Sequence, residues 1–311
     1  MIRLEDLTLF VRSAALGSFS NVARECALLP GQVSVAIQRL EKELDIRLFA
    51  RSTRSLRLTE EGARYLPYAQ QMLDTMREGR EGLHGSEAEL SGTLHIAAPS
   101  DFGRNMLLPW LGEFRRAHPR LQLRLLLSDQ VTDVFRDPVD VAIRYGRMED
   151  ASFVALPLAP DNRRVLVASP DYLDRHGSPA SIDALQEHAC LLFQLQGRVY
   201  DKWIFMDGAQ RRRVEVKGSL ASDDADAVRR WALDGEGIAY KSWLDVCNDV
   251  RDGRLRVLLP ECAGELAPLQ LVCPHRRQFS AAVRMLHALI AERCADLGEA
   301  YALHLQGLGT A

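Results

Sequence analysis

The sequence predicts two parts: a small helical N-terminal domain of winged helix-turn-helix type and, beyond a long linker helix, a two-lobed α/β domain. Three observations carry the prediction. Residues 4–44 repeat apolar positions at helical spacing in three segments, broken at Gly17 and at Pro30-Gly31. Residues 48–58 form a short alternating stretch with Arg51, Arg54 and Arg57 spaced three apart. From residue 93 onward, apolar strand-like runs alternate with amphipathic helices. A chain of 311 residues, 47% hydrophobic, is long enough for two or three domains, each with its own core.

The first helix spans 4–15, with Leu4, Leu7, Phe10, Val11 and Ala14 on one face. Ser18 or Ser20 caps a second, short helix that ends near Leu28 to Pro30, and Pro30-Gly31 is read as a tight turn. Residues 32–44 form a third helix, with Val33, Ile37, Leu40 and Leu44 turned inward. Two helices joined by so short a turn cross steeply, and the second protrudes far enough to enter a major groove. On periodicity alone an ordinary three-helix bundle accounts for this equally well.

The arginine ribbon decides between the two. The net charge of −3 is uninformative, but between Asp45 and Glu60 the only charges are Arg47, Arg51, Arg54 and Arg57. A hairpin there, with Leu56 and Leu58 facing inward, sets guanidinium forks beside the hydroxyls of Ser52, Thr53 and Ser55. Those groups suit phosphate oxygens. A solvated charged loop explains the ribbon in isolation; directly after a protruding helix, it points to double-stranded DNA.

Residues 17–62 resemble the N-terminal domain of the LysR-type transcriptional regulators. The shared pattern is Gly17-Ser18-Phe19, Ala23, Val33-Ser34, Ile37, Leu40-Glu41, Leu48-Phe49, Arg51, Thr53-Arg54, Leu58-Thr59 and Gly62. SGTLHIAAP, DVAIRYG, ASPDYL, DGEGIA and the C-terminal helix match the family's sensor domain in kind and order. The resemblance implies a DNA-binding regulator controlled by a small-molecule effector, self-associated as a homodimer or homotetramer, with RNA polymerase as a further partner. Residues expected to meet DNA are Ser20, Pro30, Gly31, Gln32, Ser34, Val35, Gln38 and Arg39 at the groove, and Arg51, Thr53 and Arg54 at the backbone. The chain departs from the family's usual pattern at Leu29-Pro30-Gly31-Gln32, and at Val35, where a basic residue is usual; Gln32 is expected to pair with adenine.

Thr59 caps a linker helix opened by Glu60 and Glu61, whose acids suit the positive end of the helix dipole. Its stripe of Ala63, Leu66, Met72, Leu73 and Met76 needs a partner, and the resemblance implies a second copy of the chain packed antiparallel. The alternative is a helix folded back on its own sensor domain. Residues 84–92 read as a hinge. The resulting division is 1–59 for the DNA-binding domain, 60–92 for linker and hinge, 93–300 for the sensor and 301–311 for a tail. Within the sensor, one lobe takes 93–162 and 266–295 and the other 163–265, a layout resembling periplasmic binding proteins.

Strand-helix-strand order implies parallel sheets, whose carboxyl ends hold ligands near helix N-termini. The effector-pocket candidates are therefore Ser100 and Asp101, Ser128 and Asp129, and Asp223 and Asp224, with Phe102, Arg144, Phe193 and Trp203 added partly by resemblance. For each serine a helix cap is an equal explanation, and Arg144 serves as well in a structural ion pair. Two adjacent acids at 223–224 disfavour a simple carboxylate effector.

Several classes are excluded. No stretch approaches the roughly 18–20 apolar residues needed to span a bilayer, and no secretory leader is recognised, so the expected location is the cytoplasm. Six scattered cysteines lack metal-ligand spacing and read as reduced; no metal and no cofactor is expected. No HExxH, phosphate-binding loop or nucleophile elbow is present, so no enzyme is expected. A solute-binding or sensor protein without DNA function is the alternative, and it leaves residues 1–62 without a purpose.

Overall fold

The computed structural model describes residues 1–51, 56–83, 90–130, 139–146, 153–195, 197–207, 210–273 and 280–308. Helices α1 (Leu4–Leu16), α2 (Phe19–Glu25) and α3 (Pro30–Leu44) precede a hairpin of β1 (Phe49–Arg51) and β2 (Leu56–Leu58), and α4 (Glu60–Leu83) follows. Gly17 closes α1 at a positive φ of 58°, and Ser18, rather than Ser20, caps α2 by accepting from Asn21 N. Pro30-Gly31 is not a turn. Pro30 opens α3, where its missing N–H costs nothing, and Gly31 lies within the first turn. Leu7, Phe10, Val22, Val33, Ile37, Leu40, Leu48 and Phe49 form one core beneath the three helices.

Several motif residues are explained by this packing. Glu41 is buried, and its carboxylate accepts from the backbone N–H groups of Leu48 (2.9 Å) and Phe49 (3.3 Å), holding the entry to β1 against α3. Hydrogen bonds to a charged group contribute about 1.5–3 kcal/mol each. Thr59 Oγ1 donates to Arg47 O (2.6 Å) and accepts from Gly62 N (2.9 Å), tying the loop before β1 to the start of α4. Gly62 packs so close to Leu48 that an added Cβ would lie 2.1 Å from its carbonyl oxygen.

The remaining chain forms two lobes. β3 (Gly92–Ala98) leads into a helix of three pieces: α5 (Ser100–Phe102), a π-helical turn at Gly103–Leu107, and α6 (Leu108–Ala117). Pro109 lacks an N–H and crowds the carbonyl four residues back, and the wider turn before it accommodates this. β4 (Leu121–Leu127), β5 (Val141–Tyr145) and β6 (Val154–Ala159) follow; then come β7 (Arg164–Ala168), α7 (Pro170–His176), β8 (Cys190–Leu195), β9 (Arg198–Tyr200), β10 (Lys202–Asp207), β11 (Gln210–Glu215) and β12 (Ala221–Ser222). α8 (Ala225–Leu233), β13 (Ile238–Ser242), α9 (Trp243–Arg251), β14 (Arg256–Leu258), β15 (Ala263–Gly264), β16 (Leu269–Cys273) and α10 (Ala281–Leu308) complete the chain.

The first lobe's sheet has the order β4-β3-β5-β16-β6, and the second's β12-β8-β13-β7-β14. The sheets are mixed, not purely parallel as expected. β3 runs parallel to β4 and β5, but β16 is antiparallel to β5 and β6, and β7 to β13 and β14. The reversal arises where the chain crosses between lobes, at the antiparallel bridge of Arg163 with Leu266. There Asn162 Nδ2 donates to Ala267 O (2.6 Å) and to Ser242 Oγ (2.9 Å). No helix among the described residues is long and apolar enough to cross a membrane.

Replacing Gly62 with alanine is expected to destabilise the N-terminal domain by about 1–3 kcal/mol through overpacking against Leu48. Chemical denaturation followed by N-terminal domain signals checks this, and an unchanged midpoint contradicts the close approach.

Candidate DNA-reading surface and effector cleft

The buried side of α3 comprises Val33, Ala36, Ile37, Leu40 and Glu41, which leaves Gly31, Gln32, Val35, Gln38 and Lys42 exposed on the opposite side. Ser20, Leu29 and Pro30 are exposed beside them and Ser34 is half-buried. Two expectations change here. Gln32 Oε1 accepts from Leu29 N (2.8 Å), so its amide serves as a cap for its own helix. Arg39 turns back to α1, where Nε donates to Asp6 Oδ2 (2.7 Å) and Nη2 to Asp6 Oδ1; Asp6 is buried. A guanidinium held by both carboxylate oxygens is not disposed to meet a base. Thr53 and Arg54 lie outside the described residues, and of Arg51 only the backbone in β1 is described.

Between the lobes, charge and hydrogen bonding converge on the start of α5 and the start of α8. Asp129, after β4, accepts from Ser100 N (2.9 Å) through Oδ1, and from Ser100 Oγ and Ala225 N (2.7 Å) through Oδ2. One carboxylate therefore satisfies helix N-terminal donors on both lobes. Asp224 caps α8 by accepting from Asp226 N (2.9 Å) and Ala227 N (3.2 Å), and reaches across to Arg104 Nη1 (2.9 Å). Ser100 Oγ stands 3.0 Å from Asp224 Oδ1 as well, but its single proton can serve only one carboxylate at a time. Burial raises the Asp224 pKa, and the hydrogen bond and charge of Arg104, with the Ala227 N–H, outweigh it, holding the carboxyl below the usual range. Gln130 Nε2 adds a longer bridge to Asp223 (3.4 Å), and Arg144 Nη1 donates to Gln130 O (2.7 Å).

Deeper in, Asn105 Nδ2 joins Asp101 Oδ1 and Asp226 Oδ1, each at 2.8 Å. Lys241 lies between two buried carboxylates, 2.5 Å from Asp101 and 3.7 Å from Asp245, and Tyr145 donates to Asp245 (2.6 Å). Burial lifts Asp101 to about 7, against the pull of the Lys241 ammonium. Arg229 on α8 forms a two-pronged pair with the fully buried Asp249 of α9 at 2.7 and 2.8 Å. Arg104, Asn105, Arg229 and Lys241 were not among the sequence candidates. Their signal was weak, because each falls within a helix or strand and not at the loop ends that mark ligand sites.

The cleft unites Ser100, Asp101, Asp129, Asp223 and Asp224. Other candidates lie elsewhere. Phe102 is buried in the first lobe's core, edge-on to Trp110 at 5.7 Å. Trp203 is buried in the second lobe's core, stacked on Tyr240 at 5.2 Å, with Nε1 donating to Tyr200 O. Large aromatics gain more by burial here than by lining a charged cleft. Ser128 Oγ accepts from Gln130 N in a local turn, and Phe193 is half-buried on β8 beside Ser222. Among the described residues no cluster of His, Cys, Asp or Glu could hold a metal ion. Cys190, Cys247, Cys273 and Cys294 are buried, and loss of solvent pushes each thiol up to about 12.

A helix-turn-helix with a hairpin behind it, on one chain with two α/β lobes that meet over a polar cleft, defines a regulator that reads DNA and senses a small molecule. Residues 4–63 match the family model described as bacterial regulatory helix-turn-helix protein, lysR family, and residues 87–295 match the LysR substrate binding domain. The chain belongs to the LysR-type transcriptional regulators and is a DNA-binding regulator with an effector-binding domain. It is 33% identical over 258 residues to the HTH-type transcriptional regulator DmlR of Escherichia coli K12, covering 83% of this chain and 84% of that protein. It is 34% identical over 257 residues to the regulator CrgA of Neisseria meningitidis serogroup C, covering 83% and 85%. Among solved structures, CrgA from Neisseria meningitidis aligns with a TM-score of 0.58 at 30% identity, covering 94% of this chain and 98% of that one. The full-length Vibrio cholerae virulence activator AphB aligns at 0.56 and 26% identity, covering 93% and 98%.

The folded Asp101 pKa near 7 lies above the ordinary carboxylate value of 3.8, so proton binding favours the folded state, and that contribution is lost as pH rises from about 4 through about 7. Asp101→Asn, neutral throughout, is expected to gain stability relative to wild type across this window. Paired melting curves at stepped pH check it, and a pH-independent difference contradicts it.

Proposed function

We propose that the chain binds operator DNA through the N-terminal part of α3 and through the β1–β2 wing. On this reading residues 1–59 form the DNA-binding domain, 60–92 the linker and hinge, and 93–300 the sensor. Ser20, Pro30, Gly31, Ser34, Val35 and Gln38 face the groove, Gln32 stiffens the helix entry, and Arg51, Thr53 and Arg54 contact phosphates. The exposed row on α3, set against one continuous buried face, is the observation that carries the reading. Arg39 acts through Asp6 to orient α3.

The chain acts as a homodimer or homotetramer in the cytoplasm, engages RNA polymerase at its promoters and has no catalytic role. Tyr68, Met72 and Met76 recur four apart and exposed on α4, which supports packing of that helix against a second copy. Replacing Arg51 and Arg54 together with glutamate is expected to weaken binding to every duplex and to lower the salt slope by roughly 0.9 for each phosphate no longer neutralised. Titrations with labelled duplexes at stepped salt check this, and an unchanged slope overturns the wing assignment.

The effector sits between the lobes and acts by displacing Asp129 from the N–H groups of Ser100 and Ala225. With an internal carboxylate already there, a simple small anion has to compete with a tethered one, in the company of Asp223 and Asp224. Removing the carboxylate in Asp129→Ala is expected to lower the melting temperature of the sensor, with millimolar acetate restoring part of the loss while chloride at equal ionic strength does not. Equal effects of the two salts argue against Asp129 as the bridging group.

A further inference from the structure

We propose that this regulator reads its operator at A·T pairs through aliphatic contact, with Val35 as the side chain that meets a thymine C5-methyl group. The proposal rests on α3 being the groove-entering helix, and it names the chemistry that this helix recognises.

From Pro30 to Gln38 the helix carries no ionisable side chain. Of its remaining charged residues, Arg39 is held through Nε and Nη2 by the buried Asp6. Glu41 is buried on the backbone of Leu48 and Phe49, and Glu43 pairs with the chain's amino terminus. Lys42 lies a full turn beyond Gln38, towards the C-terminal end that the groove-entering turn points away from. The donor fork that recognises guanine O6 and N7, supplied by arginine or lysine, is therefore missing from the reading half.

What that half does present is apolar and amide. Val35 is 56% exposed and Leu29 70% exposed, more than Leu4 (42%) or Ile2 (38%), the other exposed branched aliphatic residues among the first 51. Gly31, Val35 and Gln38 follow one another at intervals of four and three, so they form one stripe. Gly31 adds no side chain ahead of Val35 and has open space where a Cβ would stand. Val35 is thus the first side chain along the stripe to meet the groove floor, with the Gln38 amide one turn behind. Thymine's C5-methyl is the apolar feature of the major groove, and adenine's N6 and N7 are the groups an amide reads in pairs. Gln32 supplies no such pair while Oε1 is bound to Leu29 N.

The test uses the full-length protein and an operator obtained by selection from random duplexes. Each thymine of the selected site is replaced in turn by deoxyuracil, which removes only the methyl. One position per half-site is expected to lose about fourfold in affinity, the equivalent of about 0.8 kcal/mol for one buried methyl. In Val35→Ser that same replacement should have no effect, and Val35→Arg should move selection at the position towards guanine. Val35 is exposed, so both variants are expected to fold, which circular dichroism confirms alongside. Tight selective binding with every thymine indifferent to uracil overturns the proposal while leaving α3 as the reading helix. Selection of guanine opposite Val35 by the wild-type chain overturns it too. Failure to bind any duplex overturns instead the groove-entering role of α3 on which it rests.

Discussion

The arrangement of the sensor depends on carboxylates that satisfy donors from two lobes at once. Asp129 takes N–H groups from the first turns of α5 and α8, and Asp224 caps α8 while holding Arg104 of the opposite lobe. Helix N-termini carry unsatisfied donors and a positive end, so two of them facing each other across a cleft need an anion between them. Here the chain supplies it. Behind this layer, Lys241 between Asp101 and Asp245 and Arg229 on Asp249 place paired charges where unpaired ones would be prohibitive. A polar contact surface of this kind sets one register between lobes, because a small slide leaves several charges buried without partners.

The N-terminal domain divides its residues differently. Most positions that carry the family resemblance turn out to hold the domain together. Glu41 secures the entry to the wing, Thr59 and Gly62 seat α4 beneath it, and Val33, Ile37 and Leu40 fill the core. Residues where this chain departs from the pattern, Leu29 just before α3 and Val35 on it among them, are exposed. Packing constrains the first group and not the second. The shared part therefore specifies the scaffold, and the departures lie on its surface.

How much was legible follows from the same distinction. Helices α1 and α3, the hairpin, the linker and most sensor strands appear in the sequence because apolar spacing and end signals are local. Pro30-Gly31 misled, since proline disfavours a helix interior but suits its first turn. Helix α9 escaped notice: it follows β13 without a break, and Ser242 at its start makes no side-chain cap but is engaged by Asn162. In the cleft, the loop-end acids Asp129, Asp223 and Asp224 were legible through their position after strands or before a helix. Their partners Arg104, Asn105, Arg229 and Lys241 come together only when the lobes meet. Trp203 and Phe102 were misplaced because an aromatic near a site and an aromatic in a core have the same sequence signature.

The seam between the two halves of the chain has a bearing of its own. Glu25 at the end of α2 pairs with Arg12 (2.6 Å) and lies 3.5 Å from Arg124 on β4, while Arg12 Nη2 stands 3.1 Å from His95 Nε2 on β3. An arginine can only donate, so Nε2 accepts and the proton resides on Nδ1, facing Asp140 at 3.3 Å. Reader and sensor are thus joined side by side as well as end to end through α4. Dissolved electrolyte therefore bears on this seam mainly through the Glu25–Arg124 pair, whose arginine is exposed, and far less through the shielded Arg12 contacts.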